Sequence, residues 1–208
     1  MSKTLRLCAA LLIGAIAIAS LAIIQETGRY EERLHKTLVI ALDQALQESA
    51  SLTFSGNFTQ NLIDDLMKYN CSPAGLRRAE SERTMYYIYG LTGLADRVDG
   101  LRADLAIAYT STGEKMPWEL DLSLHDIGVF FRLLSQRVYQ YMLDNRTLDC
   151  DTLPGEESLH RLNQAFTLLH RELEETVYNE SYNFNGLDED TVSLIYEASR
   201  DLMSKGAP

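Results

Sequence analysis

The 208-residue sequence is poor in the residues that build catalytic centres, with only four histidines, three cysteines and one tryptophan. No Gly-x-Ser-x-Gly motif or phosphate-binding glycine loop accompanies the histidines. Glu157 and His160 form one Glu-x-x-His pair, but a carboxylate-bridged di-iron bundle needs two such pairs. We therefore predict no metal, no cofactor and no enzymatic activity. An enzyme whose residues are assembled in space stays as the third interpretation.

Basic residues are also scarce: 19 lysines and arginines stand against 30 aspartates and glutamates, for a net charge of −11. All the acidic residues and seventeen of the basic ones follow residue 24, so residues 25–208 carry a net charge of −13. Such a surface repels the phosphate backbone of nucleic acids and anionic lipid headgroups. The composition therefore excludes nucleic acid as a partner and leaves cationic or neutral partners.

One stretch lacks charge altogether. Residues 7–24 contain Ser20 as their only polar side chain, and as a helix they would rise about 27 Å, enough for a hydrocarbon core. Lys3 and Arg6 precede this stretch and acidic residues follow it, which places the amino terminus in the cytoplasm. Residues 1–24 are thus predicted to be a cytoplasmic stub and a transmembrane signal anchor. Residues 25–208 are predicted to form an extracytoplasmic domain, whether periplasmic, lumenal or extracellular.

A cleavable signal peptide shares these features. Small residues stand at the positions that a signal peptidase reads, in Ala17-Ile18-Ala19 and Ser20-Leu21-Ala22. The apolar run is longer than the usual core of a signal peptide, which favours a retained anchor. Retention predicts a single-pass membrane protein, and cleavage predicts a secreted helical effector or ligand. Both interpretations export the rest of the chain.

Cysteine is nearly absent from the exported part, which has only Cys71 and Cys150. Because compartments outside the cytoplasm are oxidising, a Cys71–Cys150 disulfide is the natural pairing, and two unrelated buried thiols are the alternative. Closing a loop of about 80 residues would stabilise the fold by about 4 to 5 kcal/mol in the chain-entropy model.

Asn-x-Ser/Thr triplets are present in excess over chance. In a eukaryotic secretory pathway they would be glycan acceptors, and in a bacterium they would have no such meaning. Asn57, Asn145 and Asn179 are the predicted sites, and a fourth triplet at Asn70 has Cys71 as its middle residue.

No segment shows the sustained alternation of a β-strand, whereas apolar residues recur at steps of three and four. The sequence therefore predicts an all-α protein, with the transmembrane helix followed by an antiparallel bundle of four to five helices. The predicted helices cover residues 30–52, 62–67, 78–111, 156–178 and 188–205, with another beginning near Ser123. Residues 54–58 are predicted to be a turn, and residues 72–75 a helix stop.

Aromatic residues are concentrated in Met85–Tyr89. Consecutive helical positions point in different directions, so one or two of Tyr86, Tyr87 and Tyr89 must face outward. Exposed tyrosines are good interface anchors, although burial against neighbouring helices is the alternative. Trp118 has the same two interpretations. We therefore expect a protein that acts by binding other proteins in assembly, tethering or sensing, with a homo-oligomer as one form.

Overall fold

The structure is a computed structural model. It describes the backbone of residues 3–179 and 182–206, and the side chains of residues 20, 25–179 and 182–204. Among these residues it contains α-helices and one short 3-10 turn but no strand, so the all-α prediction is confirmed. The helices are α1 (Lys3–Leu52), α2 (Ser55–Lys68), α3 (Pro73–Ala79), α4 (Ser81–Ser111), α5 (Trp118–Leu143), α6 (Glu156–Tyr178) and α7 (Glu189–Gly206).

Five long helices form a closed ring. α1 packs on α4, α4 on α5, α5 on α7, α7 on α6, and α6 on α1, while α2 and α3 cover one end. Contacts between paired residues give the directions of the helices. Thr92 meets Ser135 and Arg102 meets Asp121, so α4 and α5 are antiparallel. Because the direction of five helices in a ring cannot alternate throughout, one neighbouring pair of helices must be parallel.

The remaining directions identify that pair. Contacts of Asp43 with Tyr182 and of Ser49 with His170 make α1 antiparallel to α6. Arg161 bonds Asp201 near the other end of α6, which makes α7 antiparallel to α6 as well. The α4 terminus meets the α6–α7 connection, so α4 runs with α6. Helices α1, α5 and α7 therefore run in one direction, and α5–α7 is the parallel pair.

The two ends of the bundle hold different connections. The disulfide end comprises residues 53–80 and 144–155, and the Tyr109 end comprises residues 112–117, 179 and 182–188. α1 enters the bundle at the Tyr109 end. Its residues 25–33 are exposed, and burial begins with Leu38.

A single hydrophobic core joins all seven helices. On the helix after residue 30, apolar residues at steps of three and four form a stripe that is part of this core: Leu38, Leu42 and Ala45 are buried, and Leu34 is half-buried. Helices α4 and α6 cover this stripe, so it is core and not a free seam. The stripe predicted for 156–178 is buried along its whole length, and the bounds of that helix are confirmed.

Three local predictions were wrong. Residues 55–58 are the first turn of α2, not a turn between helices, since Phe58 N–H donates to Phe54 C=O at 2.9 Å. Pro73 starts α3 instead of stopping a helix, because proline fits the first helical position and the Ser72 hydroxyl caps Gly75 N–H at 3.1 Å. Ser123 is not an N-cap, because α5 already begins at Trp118 and the Ser123 hydroxyl donates to Glu119 C=O.

The predicted membrane segment falls mostly on undescribed side chains. Within residues 7–24 only that of Ser20 is described, although the α1 backbone passes through them without a break. In the described part of the chain, no helix is both long enough and apolar enough to cross a membrane.

Candidate interaction surface

The first turns of α4 point neighbouring tyrosines in opposite directions. Tyr86 is 62% exposed and Tyr89 69% exposed, whereas Tyr87 is only 2% exposed. Successive helical residues are turned by about 100°, so a core-facing Tyr87 forces Tyr86 outward. The prediction that Tyr87 belongs to an interface is therefore wrong, because its ring is part of the core. Tyr86 and Tyr89 are accessible to a partner.

Phe58 of α2 extends the exposed aromatic surface. Its ring meets that of Tyr86 edge to face, with centroids 5.4 Å apart. The ring lies directly against Gly90, where a Cβ atom would overlap it, so only glycine allows this packing. We call Phe58, Tyr86 and Tyr89 the tyrosine patch. Phe54, one turn before Phe58, is 68% exposed.

Gly93 lies on the same face of α4, but no packing contact within the domain requires a glycine there. A Cβ atom there would meet no neighbouring atom within 4 Å, unlike one at Gly90. Glycine inside a helix costs about 0.5 to 1 kcal/mol relative to alanine. The position therefore leaves open space next to the tyrosines at some cost in helix stability.

The charges around the tyrosine patch favour a cationic partner. Exposed Glu82 lies one turn before Tyr86. The two arginines at the edge of the patch are already paired, Arg83 with Asp65 at 2.7 Å and Arg97 with Glu48 at 2.9 Å. Their positive charge is thus neutralised within the domain.

Beneath the patch lies a cluster around Asp65, which is only 1% exposed. Its carboxylate accepts hydrogen bonds from Tyr87 Oη at 2.6 Å and Lys68 Nζ at 2.7 Å, and pairs with Arg83. Burial alone would raise the pKa of Asp65, but these bonds and the positive charges outweigh burial and lower it. Burial and the bond to Asp65 raise the pKa of Tyr87 to about 12. The cluster holds an ionised carboxylate and a neutral phenol, and it fixes α2 on α4.

The predicted disulfide is present. Cys71 and Cys150 are paired with their Cα atoms 5.9 Å apart, across a separation of 79 residues. Leu148 N–H donates to Cys71 C=O at 2.8 Å beside it. The disulfide links the α2–α3 turn to the α5–α6 connection.

The predicted glycan acceptors Asn57, Asn145 and Asn179 are exposed, as is Asn70. Two of the four have a structural reason to be asparagine, since Asn70 and Asn145 adopt left-handed backbone with φ of 53° and 54°. Asparagine tolerates this conformation better than most residues. Asn57 accepts a hydrogen bond from Asn163 at 2.8 Å. Glycosylation of these residues stays a prediction.

Two of the four histidines, His160 and His170, take part in hydrogen bonds. His170 Nδ1 lies 3.0 Å from the buried Ser49 hydroxyl, and His160 Nε2 lies 2.9 Å from Gln164. In the described ranges, no group of three or more His, Cys, Asp or Glu residues is placed to hold a metal ion. Trp118 is 64% exposed at the first position of α5, at the Tyr109 end.

No known protein family, curated protein or solved structure matches this chain.

Proposed function

We propose that this chain is a single-pass membrane-anchored protein whose acidic helical domain binds another protein on the extracytoplasmic side. The charge asymmetry across residues 7–24 supports the orientation. The unbroken backbone of α1 from Lys3 to Leu52 supports a rigid connection between the anchor and the bundle. The paired Cys71 and Cys150 agree with an oxidising compartment.

The tyrosine patch is the observation that carries the binding function. Tyr86 and Tyr89 are exposed large side chains, the Tyr86 ring packs against Phe58, and aromatic residues are enriched among those that dominate binding energy. Holding the Tyr86 ring in place lowers the entropy lost on binding. With Glu82 adjacent and the arginines neutralised, the partner presents a cationic or neutral surface.

The topology is tested with a reporter that is active only in the cytoplasm, fused after Pro208. We expect no reporter activity, and activity would overturn the proposed orientation. Sequencing the amino terminus of the mature protein separates the two exported forms. A terminus at Met1 supports the anchor, and a terminus near residue 20 supports the secreted effector instead.

The binding surface is tested in the native membrane with a photo-crosslinking amino acid at Tyr86 or Tyr89. A matched control carries it at Tyr178, which is 71% exposed but lies at the Tyr109 end. We expect one discrete crosslinked product from the patch positions and none from Tyr178. Equal products from all three positions, or none from the patch, would contradict the proposed surface.

A further inference from the structure

α5 has a second apolar face in addition to the one in the core. The inner face carries Leu120, Leu124, Ile127, Phe131, Leu134 and Val138, all buried. The outer face follows alternating steps of four and three along the helix. Its positions are Trp118, Leu122, His125, Val129, Arg132, Gln136, Tyr139 and Leu143.

The outer positions account for every large hydrophobic side chain that α5 exposes. Trp118 is 64%, Leu122 42%, Tyr139 44% and Leu143 56% exposed, and Val129 is half-buried. These four are among twelve exposed large hydrophobic side chains in the described part of the chain. Exposed hydrophobic residues scattered singly need no explanation, but four that share one heptad seam do. We call these eight positions the α5 seam.

Charge is divided along the same helix. Glu119 and Asp126 lie in its N-terminal half and Arg137 lies in its C-terminal half, while Asp121 and Arg132 are already paired with Arg102 and Asp99 of α4. Two α5 helices placed in parallel would set acid against acid and base against base. In the antiparallel arrangement, the acidic half of each helix faces the basic half of the other. The charges therefore complement a second copy in one orientation only.

The hydrophobic positions match in that same orientation. When two seams are aligned antiparallel about the midpoint between Val129 and Arg132, Trp118 faces Leu143 of the second copy and Leu122 faces Tyr139. Each apolar pair occurs twice because the arrangement is two-fold symmetric. Nearer the middle His125 faces Gln136, and at the midpoint Val129 faces Arg132, whose guanidinium is held by Asp99 of its own chain. A helix of 26 residues offers nearly four heptads for this contact.

We propose that two copies of this chain associate through an antiparallel pairing of their α5 seams. This pairing uses a different surface from the tyrosine patch and does not depend on it. Because α1 runs parallel to α5, the exposed α1 segments of residues 25–33 leave the dimer at opposite ends. If the proposed anchor is also correct, the two copies lie in facing membranes and the dimer links them.

The orientation is tested by cysteine crosslinking of the full-length chain in detergent, in a Cys8→Ser background. One preparation carries Leu122→Cys and another carries Tyr139→Cys. Antiparallel pairing predicts a crosslinked dimer only when the two preparations are mixed, since two copies of residue 122 would lie about 26 Å apart. Crosslinking of either preparation with itself, but not in the mixture, would show parallel pairing and overturn the proposal.

The surface is tested by measuring the dimer dissociation constant with analytical ultracentrifugation. Leu122→Glu should raise this constant at least about tenfold. Ile40→Glu is the matched control, because Ile40 is 58% exposed on α1 and lies outside the seam. Circular dichroism melting checks that both variants fold. A monomeric wild-type protein, or a dimer that Ile40→Glu disrupts and Leu122→Glu does not, would overturn the proposal.

Discussion

The two ends of the bundle each hold a carboxylate that is at least half-buried, but in opposite electrostatic settings. At the disulfide end, Asp65 has a phenol and two cations around it, and its pKa is lowered despite burial. At the Tyr109 end, half-buried Glu172 accepts a hydrogen bond from Asp188 N–H, while burial and the charges of Asp188 and Glu175 raise its pKa. Burial alone therefore does not decide whether an acidic group stabilises a fold. The charge of the neighbouring groups decides it, since Lys68 and Arg83 surround Asp65 whereas Asp188 and Glu175 lie near Glu172.

The ends also differ in how their connections are fastened. A disulfide and the ionised Asp65 cluster hold the first end. The second end is held by Tyr109, whose hydroxyl accepts Leu187 N–H at 2.8 Å and whose ring meets Phe184 with centroids 5.1 Å apart. The disulfide end should consequently be the more resistant to local opening.

Removal of the disulfide is the strongest test of this difference. Replacing Cys71 and Cys150 together by alanine should lower the free energy of unfolding by about 4 to 5 kcal/mol, because the unfolded chain is no longer constrained. Urea denaturation measures the loss. On non-reducing electrophoresis the wild-type monomer should run faster than the reduced one. Two alkylatable thiols in the native exported domain would show that the bond is absent.

Asp65→Asn tests the ionised cluster. The substitution should lower the free energy of unfolding by about 2 kcal/mol at pH 7, because Lys68 and Arg83 lose their charged acceptor. The folded pKa of Asp65 is lowered, so its stabilising effect is present above its ordinary pKa of 3.8 and is lost as pH falls through the lowered value. The difference between wild type and variant should therefore shrink in acid. Denaturation curves across pH measure it. A difference independent of pH would mean that the charge of Asp65 contributes nothing.

Tyr109→Phe should lower the free energy of local opening at the Tyr109 end by about 1 kcal/mol, since Leu187 N–H loses its acceptor. Hydrogen exchange should quicken in residues 182–188 and stay unchanged near Cys71. Tyr178→Phe, at an exposed position, is the control and should have little effect. Equal quickening at both ends would contradict the independence of the two ends.

Glu172→Gln is expected to give the smallest change in stability of the four substitutions, and it should raise stability where the others lower it. The folded pKa of Glu172 is raised, so its protonated form supports the fold below its ordinary pKa of 4.5 and that support is lost as pH rises through the raised value. Glutamine keeps an acceptor for Asp188 N–H without the charge. The variant should be more stable than wild type at pH 7 by less than about 1 kcal/mol, with no gain in acid. Lower stability at pH 7 would show that the charge is needed.

Several elements of the fold and of the surface could be predicted because their causes are local or few. The steps of three and four along 156–178 fix both a helix and its buried face, and two exported cysteines leave one possible pairing. Which of three adjacent tyrosines turns inward depends on α2, whose Asp65 bonds Tyr87 from 22 residues away. No sequence pattern connects these two residues, so the cluster was missed and Tyr87 was kept among the possible interface residues.

By itself, the amino-acid sequence determined the helical class, the disulfide pair and the acidic surface, since periodicity, cysteine number and charge do not depend on which helices meet. Only the tertiary structure decided that Pro73 starts a helix, since its effect depends on the Ser72 cap. It also decided that Phe58 packs against Gly90 while Gly93 faces open space, and that the outer face of α5 stays uncovered. The physical reason is common to all of these: whether a side chain is core, cap or surface depends on neighbours brought from distant parts of the chain.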